Sequence, residues 1–266
     1  MYKFKAGTDR DITTLKNDQL WISTLAKMND PMDLGFYIKG KAYSEEEICN
    51  FQEALNQSFV VVSLAKKVQN RRLWNYYTNG MKGFALDYRI PDLIKALKDM
   101  GASDPIKSDV SYDDKKLDLT DMLKQYLDFG IIPSLQDAEP FLFHKDNSWS
   151  SEDEYRIITD TDFLKKYPGA IDEGGLPLNG VIPREINVGY KMSRDAFDKI
   201  AEYAHNKGIT VRRFIPDFRK SSSELFKSMV VIGKNAGEEH DEKIIDRPAI
   251  DPRFYFKTYK GEYTID

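Results

Sequence analysis

Apolar residues recur in two rhythms along the chain: a helical spacing, and short runs rich in β-branched and aromatic residues. Ser44-Glu45-Glu46-Glu47 has the form of a capping box, and Ile48, Phe51 and Leu55 continue from it on one helical face. Pro91 suits a first helical position, Leu93, Ile94, Leu97 and Met100 form a stripe, and Gly101 supplies the stop. Leu119, Met122, Leu123, Tyr126 and Leu127 make a second stripe. Phe197, Ile200, Ala201 and Ala204 make a third, ended by Gly208, and Arg71–Asn79 reads as a short helix. Strands are predicted at Tyr2–Lys5, Gln19–Ser23, Phe59–Ser63, Lys82–Tyr88, Glu154–Thr159, Glu185–Tyr190 and Ile209–Phe214. Helices and strands alternate irregularly, which points to an α+β fold rather than a regular doubly wound sheet. No linker rich in Pro, Gly or Ser breaks the first part of the chain, so residues 1–233 read as a single domain. Residues 234–266 read as a polar loop around Glu238–Glu242 and a tail docked by Phe254, Tyr255, Phe256 and Tyr259.

Composition narrows the picture. The 266 residues are 41% apolar and 12% aromatic, too much of both for a disordered chain, and the net charge is −4. Cys49 is the single cysteine, which excludes an internal disulfide framework and a cysteine-based zinc site; its place in a helix suggests a small packing residue. The first residues lack the apolar stretch of a signal peptide, and the longest apolar runs, Phe59–Val62 and Met229–Ile232, are far too short to span a bilayer. A soluble cytoplasmic protein is the expectation. Mild acidity argues against bulk nucleic-acid binding but is compatible with a local basic groove. Lys66, Lys67, Arg71 and Arg72 form one basic cluster, and Arg212, Arg213, Arg219 and Lys220 a second.

The stretch Trp149–Arg156 is the richest in chemistry. If the strand already includes Glu152, a period of two puts Glu152, Glu154 and Arg156 on one face. Such a face is either a solvated surface with an ion pair, or a site whose carboxylate acts as a base or stabilises developing positive charge. Asn29-Asp30-Pro31-Met32-Asp33 is a polar turn able to present carboxylates and an amide to a ligand. Ser63 ends an apolar strand, and Trp74 and Tyr77 share a helical face that serves either the core or a wall for a planar ring. His144, His205 and His240 have no metal-ligand spacing. The Walker A, Rossmann, nucleophile-elbow and zincin motifs are absent.

Taken in order, these pieces resemble a widespread bacterial family built on a domain of unknown function. The matching pieces are Tyr2-Lys3-Phe4, Asn29-Asp30-Pro31-Met32-Asp33, Ser63, Leu73-Trp74-Asn75-Tyr76-Tyr77, Gly83-Phe84, Trp149 with Glu152-Asp153-Glu154-Tyr155-Arg156, and Gly189-Tyr190. Their order also resembles the ADP-ribosyltransferase fold, a split β-sheet clasping NAD. The resemblance implies a catalytic carboxylate at Glu154, with Glu152 near the acceptor. It implies NAD contacts from Tyr2, Lys3, Asn29, Asp30, Ser63, Trp74, Tyr77 and Arg156. The first strand departs from the pattern, offering Tyr-Lys-Phe where His or Arg is usual; a lysine lacks the planar fork of arginine. NAD is implied as substrate and no metal is implied. The acceptor implied is a macromolecule, with nucleic acid, RNA included, preferred to protein. The setting implied is a bacterial toxin or phage-defence effector with an antitoxin partner.

Two other classes compete. Asp30, Asp33, Glu152 and Glu154 would hold a magnesium ion in a nuclease or phosphoesterase if they converged. A non-catalytic sensor or binding module needs none of this chemistry.

Overall fold

The N-terminal strand β1 (Tyr2–Lys5) leads into α1 (Asp9–Lys16), whose first amides are satisfied by Thr8 and Asp11 in a reciprocal capping box. β2 (Gln19–Thr24) and the short β3 (Phe36–Tyr37) precede α2 (Glu45–Ser58), which opens with the capping box of Ser44 and Glu47 that the sequence announced. Then come β4 (Phe59–Ala65), α3 (Arg71–Tyr76), β5 (Phe84–Asp87), α4 (Ile90–Asp99), β6 (Ile106–Asp109), β7 (Ser111–Tyr112) and β8 (Leu117–Asp118). Helices α5 (Thr120–Phe129) and α6 (Leu135–Leu142) follow, then β9 (His144–Lys145), β10 (Glu154–Asp160), β11 (Gly175–Asn179) and β12 (Glu185–Gly189). The series closes with α7 (Arg194–Lys207), β13 (Thr210–Pro216) and β14 (Phe226–Ile232). This computed structural model describes residues 1–28, 35–40, 42–167, 169–170, 175–216 and 226–232. The 29–33 turn and the 234–266 tail lie outside the described residues. The protein is mixed α/β, and two compact units are interleaved in its sequence: residues 1–18, 67–89 and 182–266 form one, residues 19–66 and 90–181 the other.

In the first unit the strands run β1-β5-β12-β13-β14, with β12 and β13 parallel and the other pairs antiparallel. Helices α1 and α7 pack together, and α7 lies against β13. Two glycines, Gly83 and Gly189, are required here by close backbone approach. A Cβ on Gly83 would stand 2.0 Å from the Lys5 carbonyl oxygen, and one on Gly189 would stand 2.1 Å from that of Met81.

In the second unit the main strands run β11-β2-β4-β10-β6, all antiparallel. Two small parallel ladders, β3 with β8 and β7 with β9, sit beside them. Phe51 and Leu55 of α2, Leu123 of α5 and Phe141 and Leu142 of α6 pack with Phe59 and Val61 of β4 and Ile158 of β10 in one core. Met122 and Tyr126 pack against that core as the stripe predicts, whereas Leu127 is exposed, because it lies one residue past the buried face. Cys49 also departs from expectation. It is exposed on the solvent side of α2 rather than packed.

Candidate functional site

In the second unit β4 and β10 pair so that Arg156 lies opposite Ser63 and Ile158 opposite Val61. One face of β10 therefore carries Ile158, Arg156 and Glu154 in succession. Its inner end belongs to the hydrophobic core, and the face then turns ionic while still covered. The solvated-face reading is thereby corrected. Glu154 is 5% exposed and Arg156 0%, and Glu152 and Lys145 are buried as well.

The two glutamates reach the same place by different routes. Glu154 begins β10, but Glu152 closes a 3-10 turn at Asn147–Glu152, outside the strand. The link is Asp153, whose φ of 48° is left-handed, a conformation that Asp adopts more readily than most residues. Lys66 fastens this link: its amide donates to the Asp153 carbonyl at 3.1 Å, and its ammonium pairs with the Asp153 carboxylate at 2.9 Å and with Asp109 at 3.3 Å. The shared side of Glu152 and Glu154 thus comes from a turn, not from strand alternation.

Arg156 takes Glu154 in a fork, Nε to Oε1 at 2.9 Å and Nη2 to Oε2 at 3.2 Å. Its Nη1 donates at 2.8 Å to the carbonyl of Leu142, at the C-terminus of α6, where a cation complements the helix dipole. Lys145 donates to Glu152 Oε2 at 2.9 Å and to Glu154 Oε2 at 3.4 Å, with its ammonium 4.8 Å from the ring centre of Trp149. The Glu154 amide donates to the hydroxyl of Tyr112 at 2.9 Å. Burial raises the Glu154 pKa, but the charges of Arg156 and Lys145 and the hydrogen bonds from Arg156 overcome it and hold the carboxyl at about 2. Tyr112 goes the other way, raised to about 12 chiefly by burial.

Ser63, Glu152, Glu154 and Arg156 are thus brought together within one unit. Arg156, expected at the cofactor, instead braces Glu154 and has no solvent-exposed surface. Tyr2, Lys3, Trp74 and Tyr77 belong to the other unit. There Tyr2 is half-buried, and burial, then Asp87 and Glu185, raise its hydroxyl pKa. Trp74 corrects the expectation of a nicotinamide wall. It is 0% exposed, lies nearly parallel to Phe214 at 5.3 Å and edge-on to Phe4 at 5.4 Å, and donates its indole N–H to the Val68 carbonyl. A ring packed in this way is a core residue. Asn29 and Asp30 lie outside the described residues.

The basic clusters thin out in the same manner. Lys66 is tied to Asp109 and Asp153, and Arg212 to Glu185 at 2.6 Å. Arg213 is buried, donates to the Tyr190 carbonyl, and is lowered to about 9 by desolvation. Lys67, Arg71 and Arg72 are exposed, and Arg219 and Lys220 lie outside the described residues.

Sequence reasoning missed Lys145 and the helix that delivers it. The signal for α6 was present: Ser134 caps it through the Asp137 amide, and Leu135, Ala138, Phe141 and Leu142 recur at helical spacing, but Pro140 within the run obscures it. Nothing in the local pattern marks Lys145. His144 beside it is buried, with Nε2 3.0 Å from Asp113.

The sequence profile of a family described as Protein of unknown function (DUF2971) matches residues 73–157, so a domain of that kind is found there. It runs from α3 into β10, taking in Trp74, Tyr77, Lys145, Glu152, Glu154 and Arg156 and leaving out Tyr2, Lys3 and Ser63. No curated protein and no solved structure matches the chain. Among the described residues no helix is long and apolar enough to cross a membrane.

Proposed function

We propose that the chain is an NAD-dependent ADP-ribosyltransferase acting on a macromolecule, with an ADP-ribosyltransferase-like fold and Glu154 as its catalytic carboxylate. The observation that carries this reading is the meeting of Ser63 and Glu154 on one face of paired strands, with Glu152 alongside. On this reading they stand for the serine-bearing middle strand and the glutamate-bearing late strand of the resemblance.

The chemistry suits such a carboxylate. When the bond from nicotinamide to ribose breaks, its electron pair leaves with nicotinamide and positive charge develops on the sugar, as in glycoside hydrolysis. A buried carboxylate that stays ionised through the neutral range stabilises that charge better than one in water. Oε2 of Glu154 has the longer contacts, 3.2 and 3.4 Å, and is the oxygen to which a ribose hydroxyl would donate. The acceptor nucleophile bonds to the same sugar carbon and passes its proton to Glu152. Nucleic acid is the acceptor that the exposed Lys67, Arg71 and Arg72 favour. The effector setting and the antitoxin partner rest on the resemblance alone.

A second reading, a non-catalytic binding module, is favoured by the charge balance. Two cations and two carboxylates, all buried, compensate one another without any ligand. Magnesium chemistry has less support. Glu152 and Glu154 already hold an ammonium and a guanidinium, and among the described residues no three His, Cys, Asp or Glu groups converge as metal ligands.

The test is incubation with NAD labelled in its ADP-ribose part, plus RNA, DNA or cell lysate, with and without EDTA. Label transfer that ignores EDTA and falls about a hundredfold or more in Glu154→Gln is the expected result. Magnesium-dependent shortening of nucleic acid would transfer the case to the metal reading. A folded wild type that labels no acceptor overturns the proposal.

A further inference from the structure

We propose that Lys145 is the positioning residue of this site: its ammonium, bonded to Glu152 and Glu154 at once and lying over Trp149, fixes the two carboxylates as one charge-balanced pair. The inference deepens the catalytic reading above and rests on it for its kinetic part only.

Arg156 forks onto Glu154 and donates to the backbone carbonyl of Leu142. Lys145 bonds to both acids, and it reaches them from a different element, β9. That strand is held in place by its parallel ladder with β7, which also sets the Tyr112 hydroxyl against the Glu154 amide. The ionisable groups around the ammonium include Glu152 from the 3-10 turn, Glu154 from β10, which Arg156 also holds, and Tyr112 from β7. Tyr112 is neutral at physiological pH. Without Lys145, two buried carboxylates would share one guanidinium. One of them then takes up a proton, and the pair no longer presents two fixed negative charges. A lysine suits this bridge because its compact ammonium donates in three directions, and the face of Trp149 accepts the part of the charge that the acids leave.

The test pairs titration with kinetics on the full chain. The glutamate side-chain carboxyls are followed by carbon-13 NMR across pH in the wild type, Lys145→Met and Lys145→Arg, beside turnover of NAD. In Lys145→Met one of the two carboxyls should titrate about two pH units higher than in the wild type. Its kcat should fall about tenfold to a hundredfold with little change in KM, and Lys145→Arg should restore much of it. Carboxyl titrations that superimpose on those of the wild type overturn the inference, as does an unchanged kcat. Should Lys145→Met fail to fold, the double variant Lys145→Met, Glu152→Gln restores one cation to one carboxylate. Its folding, with a low Glu154 midpoint, supports the pairing, and continued unfolding overturns it in favour of a packing role. A wild type that titrates as expected but turns over no NAD refutes the catalytic reading and leaves the pairing intact.

Discussion

The two units bury polarity in opposite ways. In the second, four ionised side chains enter the covered face of β4 and β10 as two matched pairs, and the carboxyl of Glu154 is driven below its ordinary value. In the first, the covered sheet is filled by aromatic packing around Trp74, and its buried polar groups are handled differently. Arg213 donates to a backbone carbonyl and is pushed down by desolvation, while the Asn187 carboxamide on β12 finds no hydrogen-bond partner among the described residues. The contrast teaches that burial alone says little. A buried ion next to its opposite becomes more firmly charged, whereas desolvation by itself pushes a charge towards neutrality. The second unit therefore holds a cluster of paired charges under cover, and the first holds an aromatic framework.

The comparison breaks most sharply at Arg156. Arg156→Met leaves two buried carboxylates facing one ammonium and should cost about 3–5 kcal/mol, read as a lowered urea midpoint. A loss below about 1 kcal/mol would mean that the network is not compensated as described.

Acid sharpens it next. Glu154 sits at about 2 when folded against 4.5 as its reference, so it favours the folded state fully above the reference value. That contribution, about 3 kcal/mol at most, is lost as pH falls from 4.5 towards 2. Unfolding followed between pH 6 and 2 should lose this dependence in Glu154→Gln, which has no carboxyl to titrate.

The smallest effect, with the opposite sign, lies in the first unit. Asn187→Leu replaces a buried amide without partners by a near-isosteric apolar side chain, and should raise stability by about 1–2 kcal/mol in thermal or urea melts. Destabilisation there would show that the first unit's polar group is paid for by an interaction of its own, and the contrast between the units would weaken.

The sequence by itself determined the elements and much of their covered faces. Capping at Ser44 and Glu47, the stripe through Leu93 and Leu97, and the stop at Gly208 all depend on residues a turn or two apart, so they were legible locally. The Glu-x-Glu-x-Arg run could also be seen as chemically dense. Only the tertiary structure decided that Glu154 and Arg156 point to the covered side, because that depends on which face of β10 the helices take. Tertiary packing also decided that Trp74 belongs to the core and that Lys66 and Arg212 are neutralised by distant acids. The placing of Lys145 on both glutamates is the clearest case. A salt bridge closes through space between elements, and no spacing along the chain encodes the approach of a two-residue strand to a turn seven positions on.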